Sequence, residues 1–279
     1  MADETTAQAA AHAAPIPAGA ATPGARATTP VPRTARDRAR AHVMAELLAA
    51  ARTRLAEEGP GQLSLRAVAR DLGMASSAVY RYVPSRDALL TVLVIESYDA
   101  VGRAAEDALD AACADGHGVA RAWLDVARAV RAWARADRHA YELVYGTPVP
   151  RYEAPTDTIR AAQRLWAVLA AIVQRARAEG ALDPAGPALS PDVLERMLEP
   201  YVFEFAGLGA DAPTTAPEHA ADVARTLTLF TALTGAISAE LFGHFHRVTL
   251  DADLAFDVLM ATSAAGLGLR VPPEELDRA

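Results

Sequence analysis

The clearest pattern of apolar and polar positions lies between Leu63 and Leu90. In its first half, apolar residues recur at intervals of three and four, which places their side chains on one face of an α-helix. These residues are Leu65, Val68, Ala69 and Leu72. Ser64 precedes them as a candidate N-cap, and Gly73 follows them, where helices commonly end in left-handed backbone. The pattern therefore predicts a short helix capped by the Ser64 hydroxyl.

A second short helix is predicted to begin near Ser76 and Ser77 and to carry Val79 and Val83 into the core. Pro84 ends it, because the residue before a proline is pushed out of the α region. Two helices around a glycine-containing turn are typical of the helix-turn-helix motif, whose second helix enters the major groove of DNA. The same spacing occurs in helical hairpins that contact no DNA, so the pattern alone leaves both interpretations open.

Helical spacing continues through the rest of the chain. The first helix is predicted from about Asp37 to Glu58, and the fourth from Ser85, as N-cap, to about Cys113. Further helices are predicted over 119–136, 138–144, 155–179, 190–205, 217–245 and 251–267. No segment has the alternating period of a strand. The predicted fold class is all-α, with an N-terminal three-helix helix-turn-helix domain and a C-terminal helical bundle for ligand binding and dimerisation.

Composition divides the chain in the same way. Residues 1–32 are mostly Ala, Thr, Pro and Gly and are predicted to be a disordered tail. Residues 33–84 are predicted as the DNA-binding domain and 85–279 as the regulatory and dimerisation domain. The net charge is −8 overall. Residues 33–90 nevertheless hold ten arginines against six acidic residues, a net charge of +4, whereas residues 91–279 carry −11. A basic segment followed by an acidic remainder of the chain favours a DNA-binding module joined to a domain of another kind.

Several function classes find no support in the sequence. Cys113 is the only cysteine, so neither a disulfide framework nor a cysteine-based metal site is expected. No apolar run reaches the length of a transmembrane helix and no signal peptide is apparent, which predicts a cytoplasmic protein without a membrane partner. No catalytic motif is present. His244 and His246 are two residues apart and would face different sides of a helix, so no metal, cofactor or enzymatic activity is expected.

The resemblance to a known family lies after Gly73 and Met74. The run from Ser76 to Leu90 reads Ser-Ser-Ala-Val-Tyr-Arg-Tyr-Val-Pro-Ser-Arg-Asp-Ala-Leu-Leu. This order and spacing closely resemble the signature of tetracycline-repressor (TetR) family transcription regulators. The similarity extends from Asp37 to Leu90. A tryptophan-rich helix followed by the segment from His139 to Pro150 is also similar to the regulatory domain of many actinobacterial members.

The resemblance implies a set of DNA contacts near the two short helices. Ser76, Ser77 and Arg66 would reach base edges, while Arg81 would contact guanine or phosphate. The remaining contacts would go to the DNA backbone. These residues are Ser64, Tyr80, Tyr82 and Arg86. For the tyrosines the alternative is that their rings only pack in the core. The arginines from Arg33 to Arg40 are either a solvated helix start or an arm that touches the DNA backbone.

The resemblance also implies that the last two helices form a homodimer interface as a four-helix bundle. Small residues at steps of three and four would permit close approach, and larger apolar residues would supply area. The predicted interface residues are Leu229, Ala232, Leu233, Ala236, Ile237, Ala239, Phe242, Gly243, Leu254 and Val258. Ordinary packing inside one protomer is the alternative for this set.

A ligand pocket is predicted from the aromatic side chains and Met197 of the C-terminal domain, because small molecules commonly bind in apolar cavities. His139 and Arg131 would add polar selectivity. The residues are Trp123, Arg131, Trp133, His139, Tyr141, Tyr145, Trp166, Met197 and Phe203. Each could instead be a core residue. The expected function is a homodimeric, sequence-specific regulator, a repressor that a small apolar ligand releases from a palindromic operator. The alternatives are a DNA-binding regulator without a small-molecule ligand, and an all-helical protein that does not bind DNA.

Overall fold

The computed structural model describes residues 34–183 and 217–276, together with Val193, Arg196 and Met197. Nine α-helices lie within the ranges 34–183 and 217–276. They are α1 (Ala35–Glu58), α2 (Leu65–Asp71), α3 (Ser76–Val79), α4 (Arg86–Ala114), α5 (Val119–Ala136), α6 (Arg138–Tyr145), α7 (Ile159–Ala178), α8 (Pro217–Leu241) and α9 (Ala252–Gly266). The described residues form no β-strand, and a single antiparallel bridge joins Leu182 to Leu269. The all-α prediction is confirmed.

Two of the predicted elements fall mainly outside the described residues. The N-terminal tail, residues 1–32, lies outside them entirely. Within the helix predicted over 190–205, the structure describes only Val193, Arg196 and Met197, which are helical and exposed.

The chain divides into two compact units. The first comprises Met1–Ser97 with His139–Ile159, and the second comprises Tyr98–Arg138 with Arg160–Ala279. The sequence-based boundary after Pro84 therefore differs from the structural one. The reason is that the first turns of α4 are part of the core of the first unit, where Leu89 and Leu90 are completely buried.

The first unit is built on the apolar faces of α1, α2 and α3. Its buried side chains include Leu47, Leu48, Ala51, Leu55, Leu65, Val68, Val79 and Val83. Thr34 and Asp37 form a capping box at the start of α1, which satisfies backbone N–H groups that the helix leaves free. Arg54 of α1 pairs through both Nε and Nη2 with Asp71 at the end of α2, the Nη2–Oδ1 distance being 2.8 Å. This ion pair also lowers the pKa of Asp71.

Two local predictions in this region are corrected. Ser64 occupies the N-cap position of α2, but its side chain makes no capping hydrogen bond. Its carbonyl accepts the first intrahelical bond from Val68 N at 3.0 Å, and the burial of Leu63 and Leu65 holds the helix start. The second helix ends at Val79 rather than near Pro84, because the chain tightens into a turn in which Tyr82 N donates to Val79 O.

The second unit has a core of α5, α7, α8 and α9. Trp123 of α5 is completely buried, and its indole N–H donates to the carbonyl of Met260 in α9 at 3.0 Å. Arg131, further along α5, donates to Glu240 of α8 and to Asp253 of α9. Together these contacts fix three helices of the unit to one another.

Close packing of α4 and α7 depends on Gly102. Arg164 of α7 reaches over this glycine to Asp99 and Glu106, with Nη1–Oδ1 and Nε–Oε1 distances of 2.7 and 2.8 Å. A Cβ atom on residue 102 would lie 2.6 Å from the Cβ atom of Arg164, so one helix would have to shift.

We therefore expect Gly102→Ala to lower the free energy of unfolding by about 1–3 kcal/mol, the usual cost of overpacking, although alanine is the better helix former. Chemical denaturation measures the change. Arg103→Ala, at the exposed neighbouring position of the same helix, is the control and should change stability little. A Gly102→Ala protein as stable as wild type would show that α7 can move away without cost.

Candidate DNA-binding site

The turn between α2 and α3 presents α3 at the surface of the first unit. Gly73 adopts left-handed backbone with φ +62°, which glycine tolerates without strain. Its N–H donates to Arg70 O, and Met74 N donates to Ala69 O at 2.9 Å, so the free carbonyls at the end of α2 are used. Val79 then anchors the inner side of α3 in the core. The short helix is thereby fixed with its remaining side chains available to solvent.

The predicted DNA contacts on these helices are exposed. Ser76, Ser77 and Arg81 are on the surface, and Tyr80 is 47% exposed despite its size. Arg66 is exposed on α2, whereas Ser64 is half-buried. Base-edge readers must be accessible, and phosphate donors must not already be bonded within the protein. The side chains of Ser76, Ser77 and Arg81 meet the first condition, and the Tyr80 side chain is also accessible to solvent.

The arginines between Arg36 and Arg86 differ in whether an acidic side chain already holds them. Arg52, Arg54 and Arg86 are held in ion pairs with Glu96, Asp71 and Asp87, and the charge of Arg70 helps to lower the pKa of Asp71. Five others are exposed and pair with no acidic side chain in the described part of the chain. They are Arg36, Arg38, Arg40, Arg66 and Arg81. Unpaired guanidinium groups are the ones able to replace counterions along a DNA backbone.

Arg86 has a structural role that the sequence did not reveal. Its Nη2 donates to the carbonyl of Pro60 at 2.8 Å, and its Nε donates to the carbonyl of Leu63 at 3.1 Å. The guanidinium thus ties the α1–α2 connection to the start of α4, and these donors are not free for phosphate. Ser85, by contrast, caps α4 as predicted, with its hydroxyl accepting from Ala88 N at 3.0 Å.

Tyr82 is half-buried, and the guanidinium of Arg40 lies over its ring. The Arg40 Cζ atom lies 5.3 Å from the centroid of the Tyr82 ring. This distance is typical of a cation–π contact. The pairing of an α1 arginine with this tyrosine could not be predicted from sequence, because the two residues share no local pattern.

Comparison with known proteins identifies the family. A model of bacterial regulatory proteins of the tetR family matches residues 47–93, and a model of the tetracyclin repressor-like C-terminal domain matches residues 123–263. The HTH-type transcriptional regulator Rv1816 of Mycobacterium tuberculosis is 36% identical over 229 residues, which cover 78% of this chain and 89% of that protein. The chain belongs to the TetR family. This TetR-family protein is accordingly a DNA-binding transcription regulator and not an enzyme.

Solved structures agree with this assignment. The regulatory protein SCO4313 superimposes with a TM-score of 0.64 at 33% identity, covering 83% of this chain and all of that one. A protein from Rhodococcus sp. RHA1 has the same fold, with a TM-score of 0.55 at 23% identity over 80% of this chain and 92% of that one. Within residues 34–183 and 217–276, no three His, Cys, Asp or Glu side chains are grouped as metal ligands. No helix there is long and apolar enough to span a membrane.

The predicted dimer residues of the TetR-family regulator differ in whether one protomer already buries them. Leu229, Leu233 and Ile237 are completely buried within one protomer, and Ala236 is buried beside them. Their assignment to the interface is therefore corrected: they form the core of the second unit. Ala232 and Ala239 are half-buried, and the rest of the predicted set is exposed: Phe242, Gly243, Leu254 and Val258.

The exposed face of α8 and α9 includes five further residues. They are Leu227, Thr231, Gly235, Leu259 and Thr262. Leu227, Thr231 and Gly235 follow one another at steps of four on α8, as do Leu254, Val258 and Thr262 on α9. That spacing was visible in the sequence. It could not be separated from the buried row, because both faces of α8 are apolar.

The predicted pocket residues are divided between the two units. Trp123, Arg131, Trp133 and Trp166 belong to the second, whereas His139, Tyr141 and Tyr145 belong to the first. Trp123 and Tyr141 are completely buried, and the Arg131 guanidinium is held by Glu240 and Asp253, so these three are structural residues.

The other predicted pocket residues differ in accessibility. Trp166 is half-buried and stacks on Phe230 with ring centroids 4.6 Å apart. Met197 is exposed, and Phe203 lies outside the described residues.

Proposed function

We propose that this TetR-family protein is a homodimeric repressor that binds a palindromic operator and leaves it when a small apolar ligand binds. In this proposal residues 33–84 contact DNA, while residues 85–279 form the dimer and receive the ligand. The protein would act on chromosomal DNA in the cytoplasm. The observation that carries the proposal is the exposed apolar face of α8 and α9.

That face, with the residue that follows α8, carries large apolar side chains that are exposed in one protomer. Phe242, Leu254, Val258 and Leu259 are each between 40% and 44% exposed. Large apolar side chains exposed on two neighbouring helices favour an interaction site. A second copy of the same face is self-complementary, as a twofold interface requires.

The threonines on these two helices fit burial against a partner. Thr228 and Thr231 of α8 and Thr262 of α9 each donate the hydroxyl to the carbonyl four residues earlier, at distances of 2.7 to 3.0 Å. The polar hydrogen is thus satisfied inside the helix, and the methyl group is left to face outward. Covering such a residue leaves no unbonded donor, so the cost of burying a polar group is avoided.

The small size of α3, the helix proposed to read the DNA, also supports dimerisation. α3 spans four residues, and its exposed side chains at Ser76 and Ser77 discriminate weakly between bases. Two copies related by a twofold axis would bind two half-sites one helical turn apart, or a multiple of that distance. The operator is therefore expected to be palindromic.

The aromatic pair Trp166 and Phe230 supports the ligand part of the proposal. Both rings are only half-buried in the second unit, where a flat apolar molecule could extend the stack. A ligand causes release if it binds better to a dimer whose α3 helices are wrongly spaced for the operator.

Selection of bound fragments from genomic DNA, followed by footprinting, tests the DNA part of the proposal. We expect one protected palindrome, with protection of both half-sites disappearing together when the dimer is disrupted. Tyr80→Ala should lower operator affinity about tenfold, the effect expected from removing one phosphate hydrogen bond, without lowering the melting temperature. Arg52→Ala is the control, since Arg52 is bonded to Glu96. Protection of a single half-site by a monomer would contradict the proposal.

The ligand part has a separate readout. A panel of apolar metabolites should contain compounds that raise the melting temperature and release the selected operator, and Trp166→Ala should weaken both effects. If no compound releases the operator and none shifts the melting temperature, the ligand part of the proposal is wrong. The protein would then be a DNA-binding regulator without a small-molecule ligand.

A further inference from the structure

We infer that Arg40, stacked on the ring of Tyr82, forms a second DNA-phosphate site at the start of α1, beside the reading helix α3. Arg40 would be the contact residue, and Tyr82 would position it. The inference rests on the proposed docking of α3 in the major groove, and it adds a backbone contact from a helix outside the helix-turn-helix motif.

The start of α1 lies close to the turn that follows α3. Arg40 lies in the second turn of α1, and Tyr82 lies in the turn that joins α3 to α4. The guanidinium carbon of Arg40 is 5.3 Å from the ring centroid of Tyr82. Since α3 and Tyr82 are separated by only a few residues, a phosphate next to the end of α3 would be close to Arg40 as well.

The charges around Arg40 leave it available for an anion. Arg36, one turn earlier on the same face, is also exposed, and neither arginine pairs with an acidic side chain among the described residues. Asp37, the neighbouring acid, is turned back to the helix start, where its Oδ2 accepts from Thr34 N and Thr34 Oγ1 at 3.2 and 2.8 Å. The next acid on α1 is Glu46, whose Oε1 atom lies 3.4 Å from Nε2 of His42.

The stacking arrangement fits phosphate recognition. A guanidinium that rests one face on an aromatic ring keeps the N–H groups in its own plane free to donate. Phosphate oxygens accept such donors in pairs, which fixes orientation as well as adding charge. The ring also restricts the rotamers of the arginine, so less conformational entropy is lost when the phosphate binds. Arg40 is therefore preorganised for the backbone rather than for a base.

A salt series on a mixed-sequence DNA duplex tests the site with the full chain. Each phosphate contact adds about 0.9 to the slope of log affinity against log salt concentration. We expect Arg40→Ala to reduce the slope by about 0.9 and to lower affinity about fivefold near 0.15 M salt. Discrimination between the selected operator and mixed-sequence DNA should not change, because phosphate contacts carry no sequence information.

Tyr82 variants test the positioning role. Tyr82→Phe keeps the ring and should keep the Arg40 contribution, whereas Tyr82→Leu removes the ring and should reduce the loss of affinity caused by a further Arg40→Ala change. Such coupling between the two positions is the result that a merely structural tyrosine would not give. Equal losses of affinity from Arg40→Ala in the wild-type and Tyr82→Leu backgrounds would refute the positioning role.

The matched control is Arg52→Ala on the same helix, because the Arg52 guanidinium is bonded to Glu96 at 2.6 Å and should leave the salt slope unchanged. Circular dichroism and melting curves establish that each variant is folded. A wild-type slope in Arg40→Ala, or the same reduction in Arg52→Ala, would overturn the inference. If affinity falls about tenfold in Tyr80→Ala but is unaffected in Arg40→Ala, only the α1 site is refuted and the proposed regulator stands.

Discussion

Val258→Glu should convert the protein into a monomer and lower its operator affinity by at least about a hundredfold. Val258 is exposed in one protomer and lies midway along the exposed row of α9, between Leu254 and Thr262. At a twofold interface the substitution would bury two carboxylates against apolar side chains. Removing a charged group from water costs several kcal/mol, and each 1.4 kcal/mol corresponds to about a tenfold change in an equilibrium constant.

Sedimentation and operator titration measure the two parts of this prediction. Ala171→Glu, at an exposed position of α7, introduces the same charge away from the proposed interface and should leave a dimer with wild-type affinity. Leu229→Ala tests a residue of α8 that is completely buried in the protomer. This substitution should lower the free energy of unfolding by about 2–5 kcal/mol. Val258→Glu protein that remains dimeric would place the interface elsewhere.

The second large effect is expected at Arg131, which is only 6% exposed. Its Nε and Nη2 donate to the two carboxylate oxygens of Glu240 at 2.6 and 2.8 Å, and its Nη1 donates to Asp253 at 2.7 Å. The guanidinium carbon also lies 4.8 Å from the ring centroid of Phe256. One side chain thus pairs with two acids and joins α5 to α8 and α9.

We expect Arg131→Met to lower the free energy of unfolding by roughly 2–4 kcal/mol. Breaking a fully buried ion pair costs more than this. The Asp253 side chain, however, is 62% exposed, so solvent screens its interaction with Arg131. Arg135→Ala is the control, because Arg135 approaches the same two acids from an exposed position and should contribute less than about 1 kcal/mol. Equal destabilisation in both variants would contradict the special role of Arg131.

The same pair gives a pH dependence with a defined sign. The hydrogen bond from Arg131 lowers the pKa of Asp253 below its ordinary value. The stabilisation is therefore complete above the ordinary pKa of an aspartate, about 4, and is lost as the pH falls through the lower pKa of the folded protein. The free energy of unfolding of Arg131→Met should therefore depend less steeply on pH in this acid range than that of wild type.

Much of the fold could be predicted because local rules decide it. The spacing of Leu65, Val68 and Val79 indicated the helices of the first unit, and Gly73 indicated the turn between them. The order of exposed residues after that turn was enough for the family. The Ser64 cap failed because burial on both sides of it, rather than its hydroxyl, holds the helix start.

The remaining errors concern which partner a side chain finds. Arg86 was predicted to contact the DNA backbone and Arg131 to line the ligand pocket, since sequence shows an arginine but not the carbonyl or carboxylate to which its guanidinium is bonded. Leu229 and Leu227 lie two residues apart on one helix, and composition could not show that the first is buried in the protomer and the second exposed. Such assignments depend on distant segments, which no local pattern encodes.

The first unit includes a segment from later in the chain, which affects how the protein folds during synthesis. Tyr152, buried and hydrogen-bonded to Thr91 at 3.1 Å, belongs to this unit together with the rest of His139–Ile159. The ribosome must therefore translate beyond this segment before the unit can close. Until then the helices up to Ser97 lack part of their packing partners, so a nascent chain can complete the first unit only after Tyr98–Arg138 of the second unit has been made.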